Sequence, residues 1–138
     1  MLEINSIIRF TTLMLYVGMI ASSITGFIEA NNVSGHIYRV CLITTSLVIM
    51  IQNFVYLTIE MLRLYDKNQY IIINIYYIRC IIIIHTSILA IGISDLGLGF
   101  GIFGIVMFFI NILAGVFIDT GTRYSHLQSV KDEGYENP

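Results

Sequence analysis

Four apolar stretches, 7–28, 37–59, 70–93 and 96–118, follow one another along the chain and are parted by short polar breaks at 29–36, 63–69 and 94–95. A hydrocarbon core ~30 Å thick is crossed by roughly 20 residues of helix, and each stretch reaches that length. Within lipid every backbone N–H and C=O needs an internal partner, so these isoleucine-rich stretches predict helices despite their β-branched bias. Short connections then set consecutive helices side by side and antiparallel. The pattern predicts an all-α membrane protein: an up-down bundle of four transmembrane helices with short loops over 1–118. The polar remainder, 119–138, is expected to be a disordered tail.

Composition sharpens this picture. Hydrophobic residues make up 57% of the 138 positions, charged residues only 12%, and the mean hydropathy is +0.83. Soluble domains carry nearer ~25% charge. The first stretch is too long for a secretory signal and ends in Phe27-Ile28-Glu29 without a small-x-small site, so it is expected to persist as a helix. Cys41 and Cys80 fall inside predicted helices and read as buried free thiols rather than extracellular bridges. Arg9, Arg63, Lys67, Arg123 and Lys131 lie on the side shared by both termini, against Arg39 alone on the other. That asymmetry predicts cytoplasmic, or matrix-side, termini. The Asn32-Val33-Ser34 sequon falls in the opposite loop, where Asn32 is a candidate glycosylation acceptor.

The fourth helix carries the clearest internal pattern. Gly97, Gly101, Gly104, Phe108, Asn111 and Gly115 recur every three or four residues and so line one helical face. Small residues at this spacing let a second helix approach closely, which is the main source of association in lipid. The first helix offers a weaker stripe in Gly18, Ser22, Thr25 and Gly26, making it the expected match. Self-association through the fourth helix is the rival use.

Arg79 is the one strong charge deep within a stretch, and an unpaired cation there costs on the order of 3 kcal/mol. Folding the hairpin about 66–68 leaves Glu60 about four residues away in depth, roughly 6 Å of helix rise, within reach of an arginine stem. Glu60 and Arg79 are therefore the candidate ion pair, with Gln52, Tyr56 and Tyr76 at helical spacing beside them. His85 is expected to hydrogen-bond a neighbouring helix, as are Asn53, Asn74 and Asn111. A haem with two axial histidines would need a second histidine at matching depth, from a symmetric copy. No catalytic residue, cofactor, metal or nucleic-acid partner is expected. The partners are membrane lipid and other membrane helices.

Two short matches fail on context. Gly99 to Gly104 fits G-x-G-x-x-G, but a dinucleotide site needs a preceding strand and an aqueous crevice. Asp119-Thr120-Gly121 has the aspartic-protease triplet, yet that chemistry needs two carboxylates sharing a proton. In the tail, Tyr124-Ser125-His126-Leu127 has the Tyr-x-x-hydrophobic form of a sorting signal, carried by Tyr124 and Leu127.

A tyrosine-bearing second helix ending in Glu60, then Tyr76-Tyr77-Ile78-Arg79 in the third and a glycine-rich last helix, resembles the COPI-associated family of small Golgi membrane proteins. The resemblance implies a non-enzymatic protein of Golgi or vesicle membranes linked to trafficking. Two other functions remain open from the residues: an accessory subunit of a large respiratory or proton-pumping complex, and a small channel or carrier using Arg79, Glu60 and His85.

Overall fold

A computed structural model describes residues 2–63 and 69–134, and these form four helices: α1 (Leu2–Asn32), α2 (His36–Arg63), α3 (Gln69–Ile91) and α4 (Asp95–Gly134). Three contain segments long and apolar enough to cross a membrane, at Ser6–Asn32, His36–Leu62 and Asp95–Phe117. The described apolar run of α3, Tyr76–Ile91, is shorter than a full span.

The helices overrun the apolar stretches. A helix that has nucleated adds one hydrogen bond per further residue, so it stops at a breaker rather than where polarity begins. For this reason α1 continues to Asn32 and ends at the turn 33–35. The largest departure is in α4, where residues 119–134, read from sequence as a disordered tail, continue the helix to Gly134. That segment has no proline, and a glycine such as Gly121 costs a helix only about 1 kcal/mol relative to alanine.

Each helix buries a stripe of alternating three- and four-residue steps. On α2 the stripe is Leu42, Ser46, Ile49, Asn53, the partly buried Tyr56 and Glu60; on α3 it is Tyr76, Arg79, Ile83, Thr86 and Ala90. A seven-residue repeat is the pattern of left-handed supercoiled helices that cross at about 20°. The helices form a ring in which α1 lies beside α2 and α4, and α3 beside α4 and α2, the broadest contacts being α3 with α4 and α1 with α2. Thr25 near the end of α1 shares a 2.9 Å hydrogen bond with Ser94 at the start of α4, so those two helices run antiparallel. Ser94 also caps α4: its Oγ accepts the Gly97 N–H at 3.0 Å, with Asp95 in the first turn.

The glycine face of α4 packs mainly on α3, not on α1. Gly97 lies against the Ala90 carbonyl, Gly101 against the Ser87 carbonyl and Ile91, Gly104 against Ser87, and Gly115 against Tyr76. The turn 92–94 is so short that it sets the start of α4 directly beside the end of α3. Contact with α1 reverses the expected roles, since the Phe100 ring of α4 fills the space over Gly18 of α1. None of the glycines with described backbone has positive φ, so these positions need glycine for close approach.

Replacing Gly104 by leucine forces a side chain into Ser87 and Met19, which should destabilise the bundle by about 1–3 kcal/mol or more. Gly99 faces open space, and Gly99→Ala should be neutral or stabilise by up to about 1 kcal/mol. Denaturant unfolding in mild detergent measures both.

Candidate functional site

Three helices bring polar groups together in the interior. Arg79 of α3 is 3% exposed and Glu60 of α2 is 8% exposed. Both Nε (2.9 Å) and Nη2 (2.6 Å) of Arg79 donate to the same Glu60 oxygen, Oε1. Nη1 donates to Asn111 Oδ1 of α4 at 3.4 Å, and Asn111 in turn donates through Nδ2 to the Met107 carbonyl at 2.7 Å. The guanidinium carbon stands 5.2 Å from the centre of the Tyr76 ring, one turn earlier on α3, so the ring face supports the same cation. A fourth helix reaches the same level through Tyr16 of α1, fully buried, whose ring centre is 6.4 Å from that of Tyr56.

This geometry follows from local sequence. Glu60 is seven residues after Asn53 on the buried stripe of α2, and Arg79 is three after Tyr76 on that of α3. Asn111 is four after Met107 on α4, which lets its amide satisfy itself on its own backbone and still offer an oxygen outward. Arginine presents five donors and no acceptor, and an ionised carboxylate accepts only, so the two together with one amide oxygen form a mutually satisfying set. Charge-assisted bonds of this kind are roughly twice as strong as neutral ones. Chemically, the cluster holds a fixed carboxylate and a fixed cation against each other, and it ties α2, α3 and α4 at one depth.

The other sequence-derived candidates fall in several places. Gly97, Gly101, Gly104 and Gly115 are buried with Asn111 on the α4 face against α3. Asn53 is buried but bonds its own helix, Nδ2 to the Ile49 carbonyl at 2.8 Å. Its Oδ1, with Ser46 Oγ and Gln52 Oε1, has no hydrogen-bond partner among the described residues. His85 is exposed on the outside of α3 and bonds no described residue, contrary to the expected link to a neighbouring helix. It therefore stands apart from Arg79 and Glu60, which are buried. Cys80 is buried, its thiol 3.7 Å from the Phe108 carbonyl, whereas Cys41 is exposed on α2 and is not the core thiol its position suggested. Cys41 lies one residue off the stripe that begins at the buried Leu42 and so faces outward, which accounts for the difference.

Asn32 ends α1 and is exposed. The backbone at Tyr124 and Leu127 belongs to α4, and their side chains, like that of Asn74 and the hairpin turn at 66–68, lie outside the described residues. Among the described residues no three His, Cys, Asp or Glu side chains converge to hold a metal ion. What sequence reasoning missed was the membership of Asn111 in the ion cluster. Its signal was present, a polar amide on a face otherwise made of glycines and Phe108. Compared with family models, curated proteins and solved structures, the chain matches none.

Arg79→Leu leaves the Glu60 carboxylate buried without its cation, and should cost on the order of 3–5 kcal/mol. Adding Glu60→Leu should recover part of that loss, giving a clearly non-additive cycle. Unfolding free energies of the two single variants and the double variant in mild detergent measure the coupling; additive losses would exclude it.

Proposed function

We propose that this chain is a non-catalytic, multi-pass membrane protein that serves as a packing or recruitment component of Golgi or vesicle membranes. One observation carries the reading: the buried cation and carboxylate are spent on each other. The guanidinium of Arg79 meets Glu60, Asn111 and the Tyr76 ring. Around this interior the outer surface is apolar along all four helices, with Phe10, Val17, Ile28, Phe54, Leu62, Ile81, Phe109 and Phe117 each more than half exposed. An exterior of that kind suits hydrocarbon, and an interior held by glycine contacts and hydrogen bonds suits association in lipid.

The extension of α4 supports a recruiting role. Phe117 ends the apolar segment and Gly134 ends the helix, so seventeen further residues, about 25 Å, project beyond it. Antiparallel packing of an even number of helices sets this arm at the same end of the bundle as the start of α1. With the basic residues clustered there, that end faces the cytoplasm in our reading. The Golgi and vesicle assignment rests on the resemblance carried by Tyr76-Tyr77-Ile78-Arg79, Glu60 and the glycine-rich fourth helix.

A tagged full-length copy should remain in the membrane after alkaline carbonate extraction, co-localise with Golgi or endosomal markers, and migrate as a small oligomer in mild detergent. Co-purification in fixed ratio with a complex several times its mass would instead make it an accessory subunit of that complex. Flux into liposomes that disappears in Arg79→Leu would make it a carrier.

A further inference from the structure

The interior of the bundle is built in levels seven residues apart. Glu60 of α2 meets Arg79 of α3, and seven residues along these antiparallel helices stand Asn53 and Thr86. Seven more bring Ser46 and Ile93, which both stand against Gly26 of α1. With Gly26 opposite Ser46 and Tyr16 beside Tyr56, α1 sets Met19 at the level of Asn53. Met19 and Ser87 both stand against Gly104, which brings α4 to the same level. Asn53 is 0% exposed. Its Nδ2 donates to the Ile49 carbonyl, which fixes the amide orientation, and its Oδ1 receives no hydrogen bond among the described residues. The backbone N–H groups around it are held within α2. The hydroxyls at and next to this level are committed as well. Thr86 donates to Ile82 and Ile83, Ser87 to Ile83, Ser22 to Gly18 and Ser23 to Ile20, each to a carbonyl of its own helix. The level is therefore rich in acceptors and has no donor left for Asn53. Ser46 Oγ and Gln52 Oε1 are unpartnered too, but a hydroxyl can turn to the carbonyl one turn back and Gln52 is only partly buried, so neither makes the same demand.

We propose that this level is a binding site for one buried water molecule, which donates one hydrogen to Asn53 Oδ1 and the other to Thr86 Oγ1. Burial selects the occupant. A lipid headgroup or a partner's side chain cannot reach a residue that the four helices enclose, so the donor must be a molecule small enough to be enclosed with it. Water brings two donors to a place that offers only acceptors, and leftover buried polar groups are commonly satisfied in this way. A bare cation would meet neutral oxygens alone, because Glu60, seven residues or about 10 Å along α2, is held by Arg79. The site also fills a gap in the ties between helices. Between Arg39 and Glu60, α2 makes no direct side-chain hydrogen bond to another helix among the described residues, and the water links its middle to α3. The argument uses the bundle interior only and is independent of the compartment and partners proposed above.

The test is water-selective nuclear Overhauser spectroscopy of the full-length, isotope-labelled chain in mild detergent. The wild type should show a cross peak between water and the Asn53 side-chain amide, with the sign of a molecule held for longer than the protein tumbles. Asn53→Leu should remove that peak. Thr86→Val keeps the shape of the side chain and deletes the second acceptor, so it should weaken the peak severalfold while the helical content stays unchanged. If either variant fails to fold, the wild-type spectrum, assigned through the backbone, still decides. The Asn53 signals should stay in place when sodium and potassium chloride are replaced by N-methylglucamine chloride. No water cross peak in the wild type, a peak with the sign of short-lived surface water, or a peak of full strength in Thr86→Val would each overturn the proposal. A saturable shift of the Asn53 amide with sodium or potassium would overturn it in favour of an ion.

Discussion

A cation placed far from water must be met by groups of the same protein, and Arg79 makes that demand on every helix around it. Its two shortest hydrogen bonds fix the end of α2 through Glu60, its third reaches α4 through Asn111, and its own helix contributes the Tyr76 ring. A slip of any one helix by a turn, about 5.4 Å, would separate these atoms beyond hydrogen-bond range. The cluster thus sets relative depth, which apolar contacts between isoleucine-covered helices specify poorly. Its worth lies in that register as much as in net stability, because a buried pair returns little over a well-packed apolar substitute.

The remainder of the bundle obeys the same logic with neutral groups. Ten polar or charged side chains are buried among the described residues beside thirteen apolar ones, so the interior is no oil-like core. Most of the serines and threonines bond carbonyls one turn back, as Ser87 does to Ile83 and Ser22 to Gly18. Being small and self-satisfied, these admit close helix approach; Ser46 is the exception, its buried Oγ having no partner among the described residues. Glycine on α4 extends the approach to backbone contact at Ala90 and Ser87. In the membrane setting proposed above, where burying an apolar side chain gains little over leaving it among acyl chains, such contacts would carry the association.

Helix number, order and the partners Arg79 and Glu60 were legible in the sequence because each follows from a rule of depth and solvation: long apolar runs make helices, and an isolated charge seeks its opposite at similar depth. The glycine face of α4 was equally legible, but not its partner, since spacing defines a face and not what covers it. The short turn at 92–94 decided for α3. Helix ends were misjudged because polarity marks the edge of hydrocarbon, whereas backbone hydrogen bonding ignores it and carried α4 to Gly134. His85 was misplaced for a related reason. Its i±3 and i±4 neighbours, Ile81, Ile82, Ile88 and Leu89, are all apolar, so composition alone gives no sign of which side faces in.

The central claim is that the region around Arg79 is sealed by side chains and works as an inter-helix tie. Cys80, adjacent in sequence and 4% exposed, is a native reporter of that region. With Cys41 replaced by serine, the rate at which a membrane-impermeant thiol reagent modifies Cys80 in intact vesicles measures water access directly. The account requires Cys80 to stay unmodified until the protein is unfolded. Modification at the rate of a solvent-exposed thiol in the folded protein would place an aqueous passage beside Arg79 and contradict it.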